Sequence, residues 1–176
     1  MTRMRRILVY GVTGSGKSTL AARIGERLGL PYHSIDDLMW QPGWVPLPPD
    51  QQREVIEKLL AADEWVIDAA YGYWHDLVLA RAELIVGLDL PRRRSGWRLL
   101  RRTVTRIVRR TPACNGNYET WRASFFDRDS ILWFHVHSYA RKRRRMRQWQ
   151  ASPEFPETVL LRTPAEVERW LEAQPS

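Results

Sequence analysis

A chain of 176 residues, 44% apolar and with nine tryptophans, is long enough for one domain with a real core and too short for two ordinary ones, which excludes a disordered chain. No apolar run approaches the roughly 20 residues that span a bilayer, and the basic start, Met1 to Arg6, is followed by only a short apolar stretch, so a soluble protein without a signal peptide is expected. The net charge of +8 is local: positions 91–110 hold nine arginines and no acid, Arg141 to Arg147 hold six basic residues in seven, and the rest of the chain has 13 basic against 20 acidic residues. Two dense patches of that kind suit a phosphate clamp or a nucleic-acid footprint better than diffuse attraction to polyanions.

The elements alternate along the chain. Ile7-Leu-Val-Tyr10 is a short buried strand, followed by Gly11-Val-Thr-Gly-Ser-Gly-Lys-Ser18 and then by a helix with Leu20, Ile24 and Leu28 at four-residue spacing. Gly29-Leu-Pro31 stops that helix, and Tyr32-His-Ser-Ile35 reads as a second strand ending at Asp36-Asp37. The four prolines of Gln41 to Pro49 predict a rigid connection without regular pairing, with Asp50 as N-cap of a helix that turns Val55, Ile56 and Leu59 inward. Trp65-Val-Ile67, Leu84 to Leu88 and Thr158-Val-Leu-Leu161 supply the remaining strands, and Pro164 opens a last helix through Val167, Trp170 and Leu171. Strands separated by helices predict a parallel sheet covered on both faces, an α/β class with one domain over 1–176.

Between the last two strands a wheel over positions 91–110 sets Trp97, Leu100, Val104, Ile107 and Val108 against Arg98, Arg102, Arg106, Arg109 and Arg110, an amphipathic helix with a basic face. A turn at Cys114-Asn-Gly-Asn117 leads to a second helix over about Ser130 to Met146, with Leu132, Trp133 and Val136 as apolar candidates. The two basic helices form a lid-like insertion over approximately 92–147 that could fold over the glycine loop.

The loop carries the strongest chemistry. G-x-x-x-x-G-K-[ST] between a strand and a helix is a nucleotide-binding loop (Walker A, the P-loop): converging backbone N–H groups and the positive end of a helix hold phosphates, Lys17 reaches the β and γ phosphates, and Ser18 offers its hydroxyl to Mg²⁺. Gly11, Thr13, Gly14, Ser15, Gly16, Lys17, Ser18 and Thr19 are accordingly expected on ATP, with Pro164 joining them from the start of the last helix. Phosphoryl transfer also requires acids for the metal and for the acceptor. Asp68, after Trp65-Val-Ile67, is expected beside Mg²⁺ with Ser18, and Asp36 is expected to orient or deprotonate the acceptor hydroxyl. Asp89 ends another strand.

These stretches resemble the small P-loop kinases of the adenylate kinase and shikimate kinase type. Gly11 to Thr19, Ile35-Asp-Asp-Leu-Met-Trp-Gln-Pro-Gly-Trp44, Trp65-Val-Ile-Asp68 with Tyr71-Gly72, Leu88-Asp-Leu-Pro-Arg92 and Arg141-Lys-Arg143 are similar, more narrowly, to the adenylate-kinase-like group labelled "DNA topology modulation protein". The resemblance implies a P-loop NTPase fold, five parallel strands in the order 2-3-1-4-5 with a mobile arginine-bearing lid, and an ATP- and Mg²⁺-dependent phosphotransferase of the cytoplasm. Arg98 and Arg102 stand seven and eleven residues after Pro91, the spacing of adenylate kinase lid arginines. By that likeness Arg98 lies against adenine, Arg102 reaches a phosphate, and Arg141, with Arg144 a further candidate, adds charge from the far side. A second register, Arg106 to Arg110, also resembles the lid entrance, although the first keeps the helix length.

The chain departs from adenylate kinases on the acceptor side. Where they follow the third-strand acid with Gly, an aromatic, Pro and Arg, this chain reads Asp68-Ala-Ala-Tyr-Gly72, and no arginine follows the second strand before Arg53. An acceptor other than AMP is implied, with Trp40, Trp44, Tyr71, Tyr73 and Trp74 as candidates for its pocket. His135 and His137 point about 160° apart on one helix and cannot chelate together; surface positions are expected for both. Cys114, the only cysteine, can form no internal disulfide, fits a reducing cytoplasm and lacks an activating histidine nearby in sequence. The rival reading is a nucleotide-gated, nucleic-acid-binding ATPase using the arginine helices with Trp97, Trp121, Trp133 and Trp149.

Overall fold

The computed structural model describes residues 4–69, 71–127 and 130–175; of the basic start, positions 1–3 lie outside them. Strand β1 (Arg6–Gly11) feeds the glycine loop and helix α1 (Lys17–Leu28), which Gly29 ends in the left-handed region at φ 64°. Then come β2 (Tyr32–His33), α2 (Ile35–Met39), β3 (Trp40–Gln41), β4 (Val45–Pro46), α3 (Pro49–Leu60), β5 (Trp65–Ile67), α4 (His75–Arg81) and β6 (Leu84–Leu88). Helices α5 (Arg92–Arg109) and α6 (Ile131–Ala151) follow, joined by a connector with a 3₁₀ turn at Cys114–Gly116 and a π turn at Arg122–Phe126, and β7 (Glu157–Leu161) and α7 (Pro164–Glu172) close the chain.

The main sheet is parallel in the order β2-β5-β1-β6-β7. Numbering only its five strands makes this 2-3-1-4-5, as expected. Side chains of β1 alternate: Leu8 and Tyr10 join Ile35, Ile56, Trp65, Trp74 and Trp149 in one core, and Ile7 and Val9 join Leu20, Ile24, Val86 and Leu171 in the other. Helices therefore cover both faces, and the carboxyl ends of the strands open on one edge. No helix among the described residues is long and apolar enough to cross a membrane.

Several local expectations need correction. The second strand stops at His33, because the Ser34 hydroxyl accepts the Asp37 N–H at 3.4 Å and caps α2; Asp36 sits in the first turn of that helix, not at a strand end. Pairing within Gln41 to Pro49 is not barred: Trp40–Gln41 and Val45–Pro46 form a two-residue antiparallel hairpin, made feasible by positive φ at Gly43 (84°) and Trp44 (58°), with Pro46 tolerated on an edge. Helix α3 begins at Pro49 with Pro48 in the capping position, so Asp50 favours the helix dipole from the first turn and does not cap; Ile56 and Leu60 carry the burial there, while Val55 and Leu59 are half-buried.

The largest correction concerns the basic helices. In α5 the buried residues are Ser95, Leu99 and Thr103, while Trp97 and Val108 of the expected apolar face are 65% and 68% exposed. The reason is steric. Gly14 of the glycine loop comes so close that a Cβ there would lie 2.5 Å from the Ser95 carbonyl oxygen and 2.7 Å from Leu99 Cβ, and only the small face of α5 admits that approach. In α6 Trp133 and Val136 are likewise exposed, and His135, Ser138, Met146 and Trp149 face inward. His135 is thus a buried histidine and not a surface one; His137 is exposed.

Candidate active site

The loop between β1 and α1 takes its shape from two glycines with positive φ, Gly14 at 78° and Gly16 at 97°. Gly16 occupies the N-cap position of α1 without a side-chain cap, so the first-turn N–H groups stay open for an anion. Of the residues expected on ATP, Gly11 ends β1, Thr13, Gly14, Ser15 and Gly16 form the loop, and Lys17, Ser18 and Thr19 open α1. The Lys17 ammonium donates to the Val12 carbonyl at 3.2 Å. Burial lowers its pKa, the carboxylates of Asp36 and Asp68 oppose that shift, and Arg102 adds to it. One lysine thus feels both expected acids and one expected arginine, so these four groups lie within electrostatic reach of each other.

Asp68 is buried to 2% exposure at the end of β5. Its Oδ2 accepts from the Ser18 hydroxyl and from the Tyr32 hydroxyl at 3.2 Å, and its Oδ1 accepts from the Ile35 N–H at 3.0 Å. Tyr32 is held protonated by burial and by the Asp68 charge. A hydroxyl and a carboxylate in contact beside the phosphate cradle fit a hard divalent cation that draws its remaining ligands from phosphate and water. Among the described residues no cluster of three or more histidines, cysteines or acids offers a self-contained metal site.

Asp36 is exposed at the mouth of the cleft, where its Oδ1 accepts from the Tyr71 hydroxyl. Burial foremost, and then the Asp36 charge, keeps Tyr71 protonated and therefore a donor. On the other side of the loop, Arg98 donates to the Ser15 carbonyl at 3.4 Å, and its guanidinium would touch a Cβ at Gly16 at 3.0 Å. A cavity of about 150 Å³ opens there, lined by Gly16, Thr19, Leu90, Arg98, Pro164 and Val167 among others. The sequence-predicted positions Thr19, Arg98 and Pro164 share this one pocket, on the side of the phosphate cradle away from Asp36.

Searches of family models and of curated sequences return no match. Solved structures do match in shape. A gluconokinase from Sinorhizobium meliloti 1021 superposes with a TM-score of 0.54 at 20% identity, over 98% of this chain and 96% of that one. A shikimate kinase from Bacteroides thetaiotaomicron gives 0.55 at 13% identity over 96% and 95%. A sugar kinase from Janibacter sp. HTCC2649 gives 0.52 at 19% identity over 96% and 93%. The chain has the P-loop kinase fold.

Within the P-loop kinase fold, the structure separates the predicted cations. Arg102, on α5, lies within reach of Asp36, Lys17 and Glu119. Arg141 and Arg144 are exposed on α6. The α6 cation that faces Lys17 and Asp36 is Lys142, half-buried, with Nζ 5.2 Å from the centre of the Phe134 ring. Burial first, and then the Lys17 charge, push it down to about 7 against the pull of Asp36. Nothing in a run of six cations marks Lys142 by itself. The inward register of α6 does: Met146 and Trp149, buried against the sheet, stand four and seven residues on, so Lys142 shares their face.

The buried Asp89 carboxylate takes Arg143 at 2.7 Å and Arg147 at 3.1 Å, tying α6 to the end of β6. Trp74 is fully buried in the core, Tyr73 is 62% exposed, and Trp40 packs edge-on against Trp44 with ring centres 5.8 Å apart. The thiol of Cys114 is pushed up by burial and by the Asp36 and Asp37 charges, so it stays protonated.

The connector between α5 and α6 contains residues the sequence did not single out. Asn117 accepts the Gly43 and Trp44 N–H groups at 2.7 and 2.8 Å and donates to the Gln41 and Cys114 carbonyls, each at 3.0 Å. Trp44 Nε1–H donates to the Tyr118 carbonyl at 3.0 Å. Glu119, almost fully enclosed, pairs with Arg106 at 3.1 Å. The α5–α6 connector is therefore stapled to the β3–β4 hairpin.

Proposed function

We propose that this chain is an ATP- and Mg²⁺-dependent kinase that transfers the γ-phosphoryl group to a hydroxyl of a small acceptor that is not a nucleoside monophosphate. The observation that carries the reading is Asp36: a carboxylate held by the Tyr71 hydroxyl, open to the cleft, and within electrostatic reach of Lys17, Arg102 and Lys142. In this reading the acceptor hydroxyl donates to Asp36, its oxygen attacks the γ-phosphorus, the bond to the ADP oxygen breaks, and the proton passes to Asp36. Lys17, Arg102 and Lys142, with Arg141 at the rim, balance charge on the transferring group. Ser18 and Asp68 hold Mg²⁺, which neutralises phosphate charge when bound. Arg98 and Pro164 flank the base of ATP in the pocket beside Thr19.

The acceptor is read from what the site lacks and what its walls offer. No arginine lies between Arg27 and Arg53. Arg53 itself is occupied on the outside, by Asp76 at 2.9 Å, Glu57 at 3.3 Å and the Tyr73 carbonyl at 3.2 Å. A second phosphate therefore has no evident grip there. Neighbours named gluconokinase, shikimate kinase and sugar kinase make sugars, gluconate and shikimate the first acceptors to try. The narrower kinship with the "DNA topology modulation protein" group rests on the Ile35–Trp44 and Trp65–Asp68 stretches and is part of the same proposal. An ADP-release screen over hydroxylated metabolites and nucleoside monophosphates tests the reading. Turnover with a monophosphate alone would overturn the acceptor assignment.

One observation favours the second reading, a nucleic-acid-binding ATPase. Trp97 stands 65% exposed on α5 between Arg94 and Arg101, which are also exposed. Base stacking on tryptophan with phosphate contacts from arginine would use that face. Affinity for single-stranded DNA or RNA that falls steeply with salt supports it; no binding at moderate ionic strength leaves the kinase reading alone.

A further inference from the structure

His135 lies in the second turn of α6 and is 4% exposed. Its Nδ1 stands 3.0 Å from the Thr13 carbonyl oxygen, within the phosphate loop. A carbonyl only accepts, so Nδ1 carries the proton and donates. The other nitrogen, Nε2, is buried against the start of α5, where a Cβ on Gly96 would sit 3.5 Å from it and the Arg92 carbonyl lies near the ring. Burial resists a second proton on this ring, against the pull of the Thr13 and Arg92 carbonyls. The imidazole is thus a neutral wedge between α6, the start of α5 and the loop.

The peptide unit it grips is the one that matters for phosphate. In a planar trans peptide the C=O and the following N–H point in opposite directions. Holding the Thr13 carbonyl toward α6 therefore turns the Gly14 N–H away from α6, into the cradle. Gly14 has φ 78° and no side chain, so the adjoining peptide unit would otherwise flip at little cost. The backing from Ser95 and Leu99 limits where Gly14 sits, and among the described residues it is His135 that fixes the plane through a directional bond.

We propose that His135 is a positioning residue for the phosphate loop, fixing the Thr13–Gly14 peptide plane so that the Gly14 N–H is aimed at the nucleotide phosphates before ATP arrives. The inference rests on reading Gly11 to Ser18 as the ATP site. It assigns α6 a task separate from carrying cations: the helix pre-organises the donor site through a neutral side chain.

The test compares His135→Asn, whose amide N–H occupies nearly the place of Nδ1–H, with His135→Gln, whose amide falls near Nε2, and with His135→Leu, which keeps bulk alone. ATP affinity by calorimetry and melting temperature are measured for each, with Lys17→Ala as control. His135→Gln and His135→Leu are expected to bind ATP about tenfold more weakly, the loss of one well-aimed hydrogen bond, while His135→Asn stays within about threefold of wild type. KM for ATP should follow affinity, and KM for the acceptor should not move. Equal weakening in Asn and Gln variants, or wild-type ATP affinity in the Leu variant, overturns the positioning role. If Lys17→Ala also binds ATP like wild type, the loop assignment itself fails; if Lys17→Ala loses ATP while the His135 series shows no separation, only the inference about His135 fails.

Discussion

In the proposed reading, the donor and acceptor halves of the cleft are built in different ways. On the donor side, consecutive residues Gly11 to Thr19 create the phosphate cradle with their own backbone, and positive φ at Gly14 and Gly16 fixes its curvature. On the acceptor side, Asp36 from α2, Tyr71 after β5, Arg102 from α5, Glu119 from the connector and Lys142 from α6 converge from five places in the chain. A site made of backbone is fixed by one short motif. A site made of distant side chains depends on every packing decision between them, and there a change of acceptor leaves the fold intact.

The deepest break is expected at the donor side. Lys17→Ala removes the cation that meets the β and γ phosphates, and turnover should fall on the order of a thousandfold or more in the ADP-release assay. The melting temperature should hold or rise, because the ammonium is a desolvated charge in the resting protein. Loss of folding together with activity would mean that Lys17 supports the loop and not the reaction.

On the acceptor side, Asp36→Asn keeps the shape and removes the proton acceptor. A drop of about 10² to 10⁴ in kcat with KM for ATP nearly unchanged is expected. Tyr71→Phe leaves the carboxylate in place without its donor and should lose about tenfold. If Asp36→Asn altered ATP affinity and spared kcat, the division into two halves would be wrong.

The same contrast explains what could be read from the sequence. The strands, the loop and the Ser18–Asp68 pair follow from local signals: a motif in its strand–helix setting, β-branched runs and an acid at a strand end; the order of the strands came only with the resemblance to the small P-loop kinases. The faces of α5 and α6 did not follow: the apolar residues at helical spacing, Trp97, Val108 and Trp133, suggested inward sides, but all three are exposed, and on α5 the close approach of Gly14 turns the Ser95–Leu99 face inward instead. His135, Lys142, Asn117 and Glu119 were hidden for a related reason. Their roles come from contacts with residues far away in sequence, and in a run such as Arg141 to Arg147 only the register of the packed helix tells one cation from the next.

Lys142 and Arg141 test that register. Lys142→Ala should reduce kcat/KM for ATP by about ten- to a hundredfold, and Arg141→Ala by less, since Arg141 is exposed at the rim. With its pKa pushed down to about 7, the Lys142 ammonium is charged below that pH and neutral above it. A requirement for the charged form makes kcat/KM fall as pH rises through about 7 in the free enzyme. Lys142→Arg keeps its charge at all these pH values and should abolish that limb. An unchanged limb in Lys142→Arg would place its origin elsewhere.

The smallest effect is expected where the two halves are joined. Asn117→Ala leaves the Gly43 and Trp44 N–H groups without their acceptor and frees the connector from the hairpin. Both N–H groups lie close to solvent, so the loss in stability should be about 1–2 kcal/mol, a few degrees of melting temperature for a domain of this size. The kinetic consequence is more telling. The connector carries Glu119, which pairs with Arg106 one turn from Arg102, so loosening it should raise KM for the acceptor several-fold while KM for ATP, governed by the loop and its α5 and α6 backing, stays put. A parallel rise in both constants would show that the hairpin and connector move with the phosphate loop as one body, and the contrast between a backbone-built donor half and an assembled acceptor half would lose its kinetic meaning.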